Sequence, residues 1–200
     1  MSRLFKAMSF AALTFVASNA SAGLIGTVNT NLQIRDNFTT SSTINGADVG
    51  SISKLVVTIA LNHTFVGDLL FILSHGGRDV VLMAYPGDGA NLVSTVPIRF
   101  SDDMTLPNAR TIGGDCTQVG DATCPAVAFR SEQSLSVFDG LSGVGLWTLR
   151  VTDSAIADSG NLSSWSLTTA DVSEVPEPAT LILTLAGLAG IGLARRRTRH

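Results

Sequence analysis

The chain has 200 residues, 45% of them hydrophobic and 14% charged, with a formal charge of −3. That charge hides an uneven distribution: residues 23–174 hold seven Lys and Arg against fifteen Asp and Glu, a net charge near −8 with histidine neutral. So acidic a body argues against nucleic acid and anionic membrane as partners, and it is compatible with divalent cations. Its length of about 150 residues suits one domain with a full core.

In chain order, residues 1–22 read as a secretory signal. Arg3 and Lys6 form a basic start, Ala7–Ala17 an apolar core, and Ala20-Ser21-Ala22 a small-residue cleavage site, so that the mature chain begins at Gly23. The body then reads as strands and turns. Ile52–Leu61 alternates with period two. Asp68–Leu73 is apolar on both faces, as a central strand would be. His75-Gly76-Gly77-Arg78-Asp79 is a turn with His75 exposed, and Asp79–Ala84 is the returning strand. Pro86–Asn91 and Asp102–Thr123 are polar surface loops. Leu146–Thr152 puts Trp147, Leu149 and Val151 on one face. Ser164–Thr169 does the same with Trp165 and Leu167, and both indoles are expected in the core. With no amphipathic helix in the body, this pattern predicts an all-β sandwich or jelly roll. Cys116 and Cys124, an even pair in an exported chain, predict a disulfide closing a small loop.

The last 26 residues have three parts: Pro176-Glu177-Pro178, the uncharged run Ala179–Ala194, and a basic cluster of Arg195, Arg196, Arg197 and Arg199. Sixteen uncharged residues fall slightly short of the ~20 of a spanning helix, but the flanking chain can extend the run, and arginines beyond it would stay cytoplasmic. A buried core helix is the alternative, and four terminal arginines disfavour it. In motif, run and cluster order the tail resembles the PEP-CTERM sorting signal of Gram-negative bacteria. The resemblance implies recognition by an exosortase in the inner membrane, a transmembrane helix at about 179–194 before processing, and release of the body near Pro176–Pro178. The division is then signal 1–22, domain 23–174 and sorting signal 175–200.

Four stretches of the body form a pattern: residues 52–77 with His63, Thr64, Gly67, Asp68 and Leu69; Arg99–Asp103; Leu135–Gly140 with Gly145–Leu149 and Val151–Asp153; and Asp158–Leu162 with Trp165–Leu167. In order and spacing they resemble the P domain, or P/Homo B module, that follows the catalytic domain of subtilisin-like proprotein convertases. The Cys116–Cys124 insertion and an unremarkable N-terminal strand near Thr27–Phe38 depart from the family pattern. The resemblance implies a jelly-roll β-sandwich and a non-catalytic role beside a protease domain. P domains often bind calcium, which points to Asp68, Asp102 and Asp103 as Ca²⁺ ligands; capping of turns by these aspartates is the alternative.

Catalysis has little support. A Ser-His-Asp triad needs nucleophile, base and orienter in reach. The body holds only His63 and His75, without a G-x-S-x-G elbow, and His63 is expected to brace a turn. The leading reading is a non-enzymatic, surface-sorted module binding protein or polysaccharide in the envelope or extracellular matrix. The second is an accessory acting in trans on a separate subtilisin-like serine endopeptidase.

Overall fold

The computed structural model describes residues 21–172 apart from 87, 88, 115, 116 and 123. The expected signal, apolar run and sorting motif lie outside the described residues, except that the first strand begins at Ser21, two residues before the expected mature start. Among the described residues nine strands form: β1 (Ser21–Ile34), β2 (Phe38–Gly46), β3 (Leu55–His63), β4 (Leu69–His75), β5 (Arg78–Ala84), β6 (Ile98–Ser101), β7 (Ala128–Arg130), β8 (Gly145–Asp153) and β9 (Gly160–Val172). One sheet has the order β1-β9-β3-β6-β7 and the other β2-β8-β4-β5. Every pairing is antiparallel except β6 with β7.

Alternation decides which faces meet. Trp147, Leu149 and Val151 of β8 are buried, as are Leu69, Phe71 and Leu73 of β4; Trp165 and Leu167 of β9 and Val57 and Ile59 of β3 supply the opposing layer. Phe71 and Phe100 meet edge to face across the layers at 6.1 Å, a favoured aromatic geometry. Both indole N–H groups are satisfied: Trp147 donates to the Gly143 carbonyl and Trp165 to Ser42 Oγ, each at 2.9 Å.

Two sequence expectations change. The region near Thr27–Phe38, read as a single unremarkable strand, is two strands broken at Arg35–Asn37, where Asn37 takes φ 51°, a left-handed conformation asparagine tolerates. His75 is not an exposed turn residue. It ends β4 on the buried parity, 8% exposed, and stacks on Trp147 at 3.9 Å and 2°. Its Nδ1 and Nε2 face the carbonyls of Leu146 and Ser142 at 3.1 and 2.9 Å.

Strand β5 closes the second sheet, and its outer edge is covered. The Glu132 and Gln133 amides donate to the Leu82 and Val81 carbonyls. Their side chains accept in return: Gln133 Oε1 from the Val81 amide at 2.8 Å, Glu132 Oε1 from the Ala84 amide at 2.6 Å. Two residues thus pair an edge that would otherwise present open backbone groups. Arg110 holds the second Glu132 oxygen at 2.7 Å. Glu132→Ala should leave the Ala84 amide unpaired and cost about 1–3 kcal/mol in urea denaturation; Arg110→Ala, removing only a largely exposed partner, should cost less.

Candidate functional site

The residues singled out in the sequence as candidate metal ligands fall in two places among the described residues. The first is the end of the sandwich where β3 runs into β4 and β8 into β9. His63 and Asp153 are both fully buried there, His63 Nε2 lying 3.1 Å from Asp153 Oδ2. A buried carboxylate next to imidazole needs its remaining lone pairs occupied, and the Ala155 amide donates to Asp153 Oδ1 at 3.1 Å. His63 Nδ1 sits between the Phe65 carbonyl at 2.9 Å and the Phe65 amide at 3.2 Å. Thr64 donates to Asp158 at 2.7 Å, while Ser154 donates its amide and hydroxyl to the Asp68 carbonyl. These bonds clip the two loops together. A glycine is required at 160, opposite His63, because a Cβ there would strike the Asn62 carbonyl and the His63 ring.

A histidine oriented by a buried aspartate is also two-thirds of a hydrolytic triad. Here neither ring nitrogen bonds to a Ser, Thr or Cys side chain; one is taken by Asp153 and the other by the Phe65 backbone. The arrangement braces a turn.

The Asp68 carboxyl lies beside this clip. Partial burial, followed by the charges of Asp153 and Asp158, raises its pKa above the ordinary carboxylate value, and His63 offsets this only in part. A carboxyl raised in the folded state contributes stability that is fully present below its unfolded value and is lost as pH rises through the folded one. Asp68→Asn should therefore raise the melting temperature at neutral pH, with the gain vanishing in acid below about pH 4. A melting series from pH 3 to 8 checks this.

The second place is a groove of about 590 Å³ over the outer face of β3, β6 and β7, with Lys54, Arg99, Asp102, Asp103 and Asp139 in its lining. Asp102 is locked. Oδ1 accepts from the Ser131 hydroxyl and the Leu135 amide, and Oδ2 from the Ser134 hydroxyl and the Ser136 amide, at 2.6–3.2 Å. Three of those bonds pin the single turn Leu135–Phe138 and its cap Ser134 against the end of β6, and the fourth ties in Ser131, just after β7. Asp103 is exposed, and the hydroxyl and amide of Thr105 hold its carboxyl below the ordinary range.

The three aspartates expected to bind Ca²⁺ are therefore divided: Asp68 keeps company with Asp153 and Asp158, while Asp102 and Asp103 line the groove. Ca²⁺ takes six to eight oxygens, yet both Asp102 oxygens are saturated by protein donors, and among the described residues no group of three or more His, Cys, Asp or Glu is placed to hold a metal. These residues do not fit one calcium cage. The expected Cys116–Cys124 disulfide falls on Cys116, which lies outside the described residues. The groove escaped sequence reasoning because its walls come from four distant segments; Lys54 at φ 48°, a strained backbone for lysine, is its one local irregularity. Asp102→Ala should free two amides and cost about 1–3 kcal/mol, whereas Asp103→Ala should leave the urea midpoint nearly unchanged.

Residues 117–169 match the proprotein convertase P-domain family, and residues 174–198 match the PEP-CTERM protein-sorting motif. The P-domain match takes in β7, the Asp102-pinned turn, β8 and most of β9, including both tryptophans, Asp153 and Asp158. No curated protein matches the chain. Among solved structures, the chain is similar to one in the crystal structure of the Aeromonas sobria serine protease (ASP) and chaperone (ORF2) complex, at 20% identity and a TM-score of 0.41. That similarity covers 74% of this chain and only 27% of that one. The sorting motif marks an exported precursor held at the membrane for processing by an exosortase.

Proposed function

We propose that the chain is a surface-sorted, non-catalytic binding or structural module of the bacterial envelope or extracellular matrix. The two-sheet sandwich is read as a jelly roll of the P-domain type, delivered by an N-terminal signal and released near Pro176–Pro178. The observation that carries this reading is the P-domain match running directly into the sorting motif, with only residues 170–173 between them. The occupied His63 ring supports the non-catalytic part. Cys116 and Cys124 are read as partners, a loop closure that chain entropy values at roughly 2–3 kcal/mol.

A second reading has the module assist a separate subtilisin-like protease in trans, which the convertase name of the matched family favours. Purifying the tagged full chain from native envelopes separates the two. Polysaccharide or other sorted proteins, without a protease, are the expected companions. A stoichiometric subtilisin-like protease would favour the accessory role. Inhibitor-sensitive peptide turnover by the pure chain at one active site per molecule would overturn both.

A further inference from the structure

The described residues include six arginines, and five have a side-chain partner. Arg35 bonds Gln33 and lies over Phe38, Arg78 bonds the Val137 carbonyl, Arg110 pairs with Glu132, Arg130 reaches Met104 and Arg150 pairs with Asp79. Arg99 has none among the described residues. It is exposed, in the middle of the outer face of β6, and it lines the 590 Å³ groove, a volume within the range of ligand pockets. An exposed guanidinium with no side-chain partner among the described residues, set in a groove of this size, makes sense if a ligand supplies the anion.

The surroundings narrow the anion's chemistry. Cross-strand register sets Thr27, Ser166, Thr58, Arg99 and Ala128 in one row across the five-stranded sheet. All five are on the outward parity, since Trp165, Leu167, Val57, Ile59, Ile98 and Phe100 point into the core. A track of hydroxyls therefore leads to the guanidinium. Within the groove, Val56, Leu106 and Ala128 give apolar floor, and Ser136, Asp103 and Asp139 give hydrogen-bonding rim. An extended peptide would gain most from an open sheet edge, but the groove lies on a face, and the neighbouring edge is closed where the Arg130 amide donates to the Pro107 carbonyl at 2.7 Å. A ligand with hydroxyls for the track and rim, C–H faces for the floor and a planar anion for the guanidinium fork fits better.

We infer that this groove binds an oligosaccharide bearing a carboxylate, with Arg99 taking the carboxylate through paired N–H donors and the Ser166–Thr58 row lying under the adjoining sugar. The inference rests on the binding-module reading and names its site and ligand class.

The test uses the full chain in detergent and three probes: a galacturonate hexasaccharide, a neutral glucan hexasaccharide and a ten-residue Glu-rich peptide. The uronate should bind at least tenfold more tightly than the glucan. Arg99→Ala should weaken uronate binding at least tenfold with an unchanged melting temperature, Arg99→Lys should recover only part of it, and Arg35→Ala should change nothing. Equal affinity for glucan and uronate, uronate binding indifferent to Arg99, or Arg99-dependent binding of the peptide alone would each overturn the inference. Envelope-purified Arg99→Ala that still carries its polysaccharide would reject the groove and leave the module reading standing. Wild-type chain that carries neither polysaccharide nor sorted proteins would reject that reading itself.

Discussion

The two sheets are set against each other by an indole that cannot be buried without a partner. Trp165 points inward from β9, almost wholly enclosed, and its N–H reaches across the layers to Ser42 Oγ on β2. An unsatisfied donor at that depth would cost several kcal/mol against a net domain stability of about 5–15. The relative position of the layers is thereby fixed at one point, and Trp147, on the central β8 of the opposing sheet, packs with Phe138 at 5.2 Å and His75 to fill the rest. Strand β9 lies between β1 and β3, so Trp165 stands on an interior strand of the larger sheet.

The ends of the sandwich are finished by polar chemistry. At one end the buried His63–Asp153 pair ties two loops together; at the other, Asp102 ties the Leu135–Phe138 turn to β6. In both cases a carboxylate accepts from backbone N–H groups outside the strands. Asp102, expected in the sequence as a Ca²⁺ ligand, has this anchoring role for its carboxylate. The outer face of β6 follows no such rule, and Arg99 is left unanchored.

Much of the fold was legible because it rests on alternation. Leu55–His63, Leu69–His75, Gly145–Asp153 and Gly160–Val172 lie within a few residues of the strands that apolar period two predicts. What escaped has definite physical causes. Strand β2, FTTSSTING, buries Thr40 and Ser42, whose hydroxyls are satisfied by the Gln33 carbonyl and Trp165, so a hydrophobic pattern could not reveal it. Strand β7 has three residues, too few for any period. His75 shared the parity of Leu69, Phe71 and Leu73, a signal masked by the two glycines after it. Of the candidate site, Asp102 and Asp103 were singled out with a different role, and Arg99 was noted only for its family resemblance, because its isolation depends on contacts made by every other arginine.

The strand order has a consequence for how the protein is made. The chain alternates between sheets from β1 to β4, and its first strand pairs with its last. The smaller layer cannot be completed until β8, residues 145–153, is available, and the larger one not until residues 160–172 are, so the nucleus must join segments more than a hundred residues apart. Chains dominated by such distant pairings fold slowly, in milliseconds to seconds. For an exported precursor, if it crosses N-terminus first as the proposed signal implies, this keeps the larger sheet open and the segment translocatable until its final strand has crossed. Closure of the sandwich and arrival of the sorting motif at the bilayer then become nearly the same event.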